Sequence, residues 1–171
     1  MPHVVTLCTG NAARSVMAGA ILAEHVPTLL VTTRGTHVIE GMPMSWRTRD
    51  AIEGLGASAD GHRSRQLGSV DLGSADLVLA MAREHVAYVR RRHPEAAART
   101  GTLKRLARDL PGTTGSLGER IAALRLDEVP LEPWEDVEDP AGGDAAVFHE
   151  CAAEIHGLLV VLRPFLEEVI A

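Results

Sequence analysis

A short polar segment near the start of the chain has the residue types of a phosphate-binding loop with a nucleophile at its base. It follows an apolar run and leads into a helical pattern. In order, its residues are Cys8, Thr9, Gly10, Asn11, Ala12, Ala13, Arg14 and Ser15. Backbone N–H groups in a tight loop and at the start of a helix bind anions, and their field favours the thiolate form of a cysteine. The spacing therefore predicts an oxyanion site with Cys8 as a reactive thiolate.

Other side chains of this loop suit the same chemistry. The planar guanidinium of Arg14 can donate to two phosphoryl oxygens at once, and Ser15 can donate a hydrogen bond to the thiolate. Gly10 lets the backbone approach an anion, and Asn11 is a residue type that tolerates a left-handed backbone conformation. A cysteine at the end of a buried strand can also be an inert apolar side chain. The strand–loop–helix context favours the oxyanion site.

The rest of the chain predicts a parallel sheet that positions this loop. Strand-like apolar runs alternate with helical patterns, which is typical of α/β proteins with crossover helices. Predicted strands cover residues 3–7, 29–33, 75–81 and, more weakly, 102–106; predicted helices cover 14–25, 45–55, 84–92 and 144–169. Pro164 is expected to kink or break the last helix, and residues 111–116 are expected to form an exposed loop.

These elements predict one three-layer α/β domain over residues 1–171, with a four-stranded parallel sheet flanked by helices. An open parallel sheet binds ligands beyond the C-terminal ends of its strands. The loop after the first strand lies at that edge, and so does the start of the loop after Met81. A segment that returns near Asp139 can reach the same edge.

Composition and charge restrict the classes of partner. Hydrophobic residues make up 46% of the chain and charged residues 23%, as in ordinary globular proteins. A net charge of −6 argues against nucleic acid or an anionic membrane as the main partner. The basic side chains of Arg63, Arg65 and residues 90–92 are interpreted as solvated charges.

The cysteines and the apolar runs indicate a cytoplasmic protein. Cys8 and Cys151 provide neither a disulfide framework nor the spacing of a zinc site. Cys151 lies among apolar residues of the last helix and is expected to be a buried structural thiol. The start of the chain lacks the pattern of a signal peptide, and no apolar run approaches the roughly 20 residues of a membrane span.

The loop resembles the phosphate-binding loop of the low-molecular-weight protein-tyrosine phosphatase family, whose signature is a cysteine, five residues, an arginine and a serine or threonine. Further segments follow in the order of the family: Gly35-Thr36, residues 62–67, residues 76–81 and Asp139-Pro140 before a long helix. The resemblance covers most of the chain and is poorer over about residues 107–137.

The resemblance implies hydrolysis of protein phosphotyrosine through a thiophosphoryl-enzyme intermediate. Cys8 would be the nucleophile, and Arg14 and the loop amides would bind the phosphoryl oxygens. Asp139 would protonate the leaving oxygen. Asn11 would lock the loop and His62 would brace that asparagine. A surface histidine before a basic turn is the alternative for His62. The implied partners are a phosphorylated protein and, in the loop, inorganic phosphate or another oxyanion. No metal or organic cofactor is expected.

Several carboxylates precede the proposed acid. They are Glu132, Glu135, Asp136 and Glu138. Their negative charge is expected to favour the protonated form that a general acid needs. An Asp-Pro pair can also simply begin a turn.

Three departures from the family pattern leave the substrate open. Ala13 replaces a second cysteine that many members carry. At the position of Ala12, tyrosine phosphatases of the family tend to have a larger apolar residue and arginine phosphatases a threonine. Residues 141–143 are Ala-Gly-Gly, where tyrosine-specific members have an aromatic residue. Trp46 or Trp134 is a candidate for a replacement aromatic face.

Three alternatives to a tyrosine phosphatase follow. They are a protein arginine phosphatase, a thiol-coupled arsenate reductase and a phosphate-binding module without turnover. In this family, arsenate reductases of the thioredoxin-coupled type carry two further cysteines in the segment after the third strand. Residues 82–93, which form that segment here, contain none, so this type is excluded.

Overall fold

The computed structural model describes residues 1–167, within which four parallel strands form one sheet. The strands are β1 (His3–Cys8), β2 (Leu30–Gly35), β3 (Leu77–Ala80) and β4 (Thr100–Thr102). Their order in the sheet is β2–β1–β3–β4, and all three pairs are parallel. The helices of the described residues are α1 (Arg14–His25), α2 (Trp46–Glu53), α3 (Ser69–Gly73), α4 (Arg83–Arg92), α5 (Leu103–Asp109), α6 (Leu117–Leu124) and α7 (Ala145–Glu167).

Side chains alternate between two apolar clusters because successive residues of a strand point to opposite faces. Val4 and Leu79 pack with α1, α5 and α7 on one face of the sheet. Val5 and Val78 pack with α3 and α4 on the other. Burial of both faces explains why these strands are continuously apolar. The prediction of a three-layer α/β domain with a four-stranded parallel sheet is confirmed.

The predicted fourth strand at residues 102–106 is wrong in its position. The strand is Thr100–Thr102, and α5 begins at Leu103. The Thr102 hydroxyl accepts a hydrogen bond from the Arg105 N–H at 3.1 Å, which caps the helix and ends the strand. Leu103 and Leu106 are fully buried at helical spacing. The same apolar residues therefore form a helical face.

The last helix differs from its prediction in two respects. It continues through Pro164 to Glu167 without a break, and the predicted residues 168–169 lie outside the described part of the chain. By length and composition alone, this helix of 23 residues is long and apolar enough to cross a membrane, since an 18-residue window of it has a mean hydropathy of 1.5. In the fold, α7 packs against α1, α2 and α5 through Cys151, Ile155 and Leu162.

Arginine side chains hold the segment that fits the family pattern poorly. Arg90 donates to the carbonyl oxygens of Leu126 at 2.6 Å and Val129 at 2.8 Å, and Arg105 donates to that of Pro130 at 2.8 Å. The interpretation of Arg90 as a solvated charge is therefore wrong, because its guanidinium binds carbonyl groups of a loop without regular structure. Arg63, Arg65, Arg91 and Arg92 are exposed.

Substitution by alanine is expected to have opposite effects on stability at two glycines in helices. A Cβ at Gly19 in α1 would overlap the Thr33 methyl group of β2, whereas a Cβ at Gly157 in α7 would meet no atom within 4 Å. We expect Gly19→Ala to lower the free energy of unfolding by about 1–3 kcal/mol through overpacking. Gly157→Ala should raise it by about 0.5–1 kcal/mol, since alanine is the better helix former. Urea unfolding of both variants measures the difference. Equal stabilities would contradict this packing of α1 on β2.

Candidate active site

The loop that carries Cys8 joins β1 to α1, so it lies at the C-terminal end of one of the two inner strands of the sheet. Cys8 is the last residue of β1, Arg14 is the first residue of α1, and both are buried. The Cys8 Sγ lies 3.0 Å from the Ser15 Oγ. Ser15 is therefore placed to donate to the sulfur, as its position in the sequence predicts.

The fully buried Asn11 fixes the shape of the loop. Its backbone is left-handed, with a φ of 51°. Its Nδ2 donates to the Ser15 Oγ at 2.9 Å and to the Thr33 Oγ1 at 3.0 Å, and its Oδ1 accepts from the Arg65 N–H at 2.9 Å. One side chain thus links the loop to α1, to β2 and to the segment that contains His62.

The carbonyl groups of the loop accept hydrogen bonds from neighbouring segments of the chain. The Asn11 carbonyl oxygen accepts hydrogen bonds from the Ser64 Oγ and the His62 Nε2, each at 2.8 Å. Burial lowers the pKa of His62, which favours the neutral ring with its proton on Nε2. The Ala12 carbonyl oxygen accepts from the Thr48 Oγ1 at 3.1 Å. His62 therefore contacts the loop at the residue that it was expected to brace.

The segment after β2 binds two more of these carbonyl groups. The Thr36 N–H donates to the Cys8 carbonyl oxygen and the His37 N–H to the Thr9 carbonyl oxygen, both at 3.0 Å. A Cβ at Gly35 would lie 2.5 Å from the Thr9 carbonyl oxygen, so only glycine permits this approach. In the described part of the chain, the backbone N–H groups of residues 10–13 donate to no protein acceptor. Such a set of free amides beside a sulfur is an anion-binding arrangement.

Arg14 and Asp139 meet at the rim of this loop although they are far apart in the sequence. The Arg14 side chain donates through Nη1 to the Val137 carbonyl oxygen at 2.9 Å. Its Nη2 lies 3.6 Å from Asp139 Oδ2, and the Asp139 side chain is 53% exposed. The Ala141 N–H donates to Asp139 Oδ1 at 3.1 Å. The guanidinium and the carboxylate therefore border the same space above Cys8.

Two ion pairs position the segment that carries Asp139. Arg105 donates to both carboxylate oxygens of the fully buried Glu135 at 2.8 and 2.9 Å. Burial raises the pKa of Glu135, but the hydrogen bonds of Arg105 and its other partners outweigh burial and lower it. Arg83 donates to Asp136 at 2.9 Å. These two carboxylates therefore neutralise arginines and do not crowd Asp139, whose close charged neighbour is Arg14.

A cavity of about 640 Å³ lies above the loop. Its other walls come from the start of α2, from residues 139–143 and from α7. Neither tryptophan lines it: Trp46 is exposed beside it, and Trp134 packs under the guanidinium groups of Arg105 and Arg108. The aromatic wall residue is Phe148 of α7, which sequence reasoning missed. The sequence carries no signal for this contact, because Phe148 is far from the loop along the chain.

The comparisons with known proteins agree with this geometry. A family model described as low molecular weight phosphotyrosine protein phosphatase matches residues 3–111. The chain belongs to this family. The resemblance inferred from the loop and from the ordered segments that follow it is therefore confirmed.

Relatives within the low molecular weight phosphatase family cover nearly the whole chain. A protein-arginine-phosphatase from Geobacillus stearothermophilus is 31% identical over 161 residues, which are 93% of each chain. The low molecular weight protein-tyrosine phosphatase A of Mycobacterium tuberculosis is 32% identical over 178 aligned positions, covering 99% of this chain and 94% of that one. A solved structure of an arginine phosphatase from Geobacillus stearothermophilus matches with a TM-score of 0.78 and 30% identity, covering 98% of this chain and 94% of the other.

In this family member, a buried histidine that sequence reasoning missed supports the loop from the β3 side. His85 Nδ1 accepts a hydrogen bond from the Ala82 N–H at 3.0 Å, so its proton is on Nε2, which donates to the Thr9 Oγ1 at 2.9 Å. Burial, assisted by the positive charge of Arg14, lowers the pKa of His85 to about 3. The only feature of the sequence that could have pointed to His85 is its position at the start of α4, shortly after a buried strand.

Cys151 is a buried thiol, as expected. Burial raises its pKa to about 12, so it stays protonated at neutral pH. Its Sγ donates to the Glu138 carbonyl oxygen at 3.8 Å. Cys151 is therefore a packing residue under the Asp139 segment, and Cys8 is the thiol that faces the cavity.

The neutral state of His85 makes stability depend on pH. Between pH 6.5 and about 3 the unfolded chain binds a proton at this residue that the folded chain does not bind. Above pH 6.5 this residue does not reduce the free energy of unfolding. Below pH 6.5 its contribution lowers the free energy of unfolding by about 1.4 kcal/mol for each pH unit. Urea unfolding of wild type and His85→Gln between pH 5 and 6.5 measures the effect. The variant should show a slope smaller by roughly 1 kcal/mol per unit; an unchanged slope would contradict a buried neutral His85.

Proposed function

We propose that this chain is a cysteine-dependent phosphatase that hydrolyses protein phosphotyrosine through a thiophosphoryl-enzyme intermediate. The observation that carries the proposal is the set of free amides of residues 10–13 beside the Cys8 sulfur, with Arg14 and Asp139 at the rim of the same cavity. The proposal includes phosphorylated proteins as substrates, and inorganic phosphate as the product that leaves the loop. It also includes a cytoplasmic location, since both cysteines are free.

In the first step the Cys8 thiolate attacks phosphorus and the ester P–O bond breaks. The phosphoryl oxygens lie against the loop amides, and Arg14 donates to two of them through its planar fork. Arg14 then has less interaction with Asp139. The exposed Asp139 carboxyl group protonates the leaving phenolic oxygen, and this proton transfer prevents formation of a free phenolate.

In the second step water hydrolyses the thiophosphate and releases inorganic phosphate. Asp139, now ionised, accepts a proton from the attacking water. The S–P bond breaks and the sulfur leaves as a thiolate. The Ser15 hydroxyl, 3.0 Å from the sulfur, donates to that thiolate and lowers the energy of its departure.

The walls of the cavity support an aryl phosphate as the substrate. Phe148 offers an apolar surface, and residues 141–143 leave the entrance open to a phosphotyrosine that projects from a protein. Phosphoarginine is the second candidate, because a protein-arginine-phosphatase is 31% identical over 93% of this chain. Both reactions use Cys8 and Arg14, and they differ in whether a P–O or a P–N bond breaks.

Cys8→Ser should abolish hydrolysis of a phosphotyrosine peptide. Asp139→Asn should lower kcat on phenyl phosphate by about a hundredfold, and less on p-nitrophenyl phosphate, whose leaving group needs no proton. Glu24→Gln, which alters an exposed carboxylate of α1 that does not line the cavity, is the control and should behave as wild type. Steady-state kinetics on both substrates measure these effects.

Other outcomes select the alternatives. Cys8-dependent turnover of phosphoarginine alone would keep the mechanism and change the substrate. Thiol-dependent reduction of arsenate without ester hydrolysis would indicate a reductase, and tight phosphate binding without any turnover would indicate a binding module. Equal losses on the two aryl phosphates in Asp139→Asn would contradict its role as the acid.

A further inference from the structure

A positively charged side chain that the proposed chemistry does not use lines the active-site cavity. Arg47, the second residue of α2, borders this cavity together with Cys8 and Asp139. Its Nε is buried and has no hydrogen-bond partner, and no carboxylate of residues 1–167 lies within ion-pair distance of its guanidinium. The guanidinium lies 4.9 Å from the centre of the Trp46 ring, which orients it.

The acidic groups near Arg47 are already paired with other cations. Asp50, one turn further along α2, binds the His149 Nε2 at 2.8 Å. Asp139, across the cavity, lies 3.6 Å from Arg14. Arg47 also belongs to the first turn of α2, where the partial positive charge of the helix has the same sign. This wall of the cavity is therefore positively charged without internal compensation, in a chain whose net charge is −6.

The size of the cavity leaves room for more than a phosphorylated ring. Its volume of about 640 Å³ is in the range of pockets that bind whole drug-sized ligands. The phosphoryl group is taken by the loop, and Arg47 lies on a different wall, which the start of α2 forms. A residue that flanks the phosphorylated side chain is therefore expected to lie within reach of Arg47.

We propose that Arg47 forms a second anion subsite that selects phosphotyrosine segments with an aspartate or glutamate beside the phosphorylated residue. The carboxylate accepts hydrogen bonds from the guanidinium of Arg47, which lines the cavity. The same positive charge disfavours a cationic leaving group such as arginine. This inference rests on the proposed function and defines its substrate class.

The test uses three phosphotyrosine peptides that differ only in an acidic, neutral or basic residue next to the phosphotyrosine. Wild type should prefer the acidic over the neutral peptide by roughly fivefold in kcat/KM at low salt, as for a solvent-accessible ion pair. Arg47→Gln should lower that ratio to about one, and Arg47→Glu should reverse it in favour of the basic peptide. The preference should shrink at 0.5 M salt, since screening weakens such pairs.

Arg49→Gln is the matched control, because Arg49 is an exposed arginine of the same helix that does not line the cavity. It should keep the preference of wild type. Equal ratios in wild type and Arg47→Gln would overturn the proposal, and so would an equal loss of preference in Arg49→Gln.

A binding measurement separates this inference from the proposed function. Fluorescence anisotropy of the three peptides with Cys8→Ser, and with Cys8→Ser combined with Arg47→Gln, requires no turnover. If wild type hydrolyses no ester but the acidic peptide binds in an Arg47-dependent way, the subsite stands and the phosphatase function fails. If wild type hydrolyses all three peptides equally and binding does not depend on Arg47, the function stands and the subsite fails.

Discussion

The left-handed conformation of the buried Asn11 is the constraint on which the rest of the site depends. The Asn11 carbonyl oxygen accepts hydrogen bonds from His62 and Ser64, and the amides of residues 10–13 have no protein acceptor among the described residues. A non-glycine residue in this conformation costs free energy, which the hydrogen bonds of its side chain offset. The anion site is thus built into the fold before any substrate arrives.

The proposed function also requires a carboxylate from a distant part of the chain. The parallel sheet brings the loop after β1 and the segment before α7 to one edge, and the buried Arg105–Glu135 pair fixes that segment there. Breaking such a buried pair is strongly destabilising. Glu135 and Asp136, which pair with Arg105 and Arg83, thus hold the segment in which Asp139 lies 3.6 Å from Arg14.

Local signals in the sequence were sufficient for the loop, since strand, glycine, asparagine and helix follow one another within a few residues. The sheet followed from the alternation of apolar runs with helical patterns, most clearly from the apolar strands β1 and β3. Asp139 came from the resemblance, because an Asp-Pro pair has no specific local signal. Arg47, His85 and Phe148 could not be predicted, since their roles depend on which residues the tertiary fold brings together. The error at residues 102–106 has a different, local cause: Thr102 caps the helix that begins at Leu103, and this cap decides between strand and helix there.

The central claim is that Asn11 preorganises the loop for a phosphoryl group. The most direct test is the dissociation constant of inorganic phosphate for Asn11→Gly, measured by calorimetry beside wild type. Glycine permits the left-handed backbone but removes the contacts of the side chain to Ser15, Thr33 and Arg65. We expect the folded variant to bind phosphate about tenfold or more weakly, since roughly 1–3 kcal/mol of buried hydrogen bonding is lost. Unchanged affinity in a variant with a native circular dichroism spectrum would contradict the account.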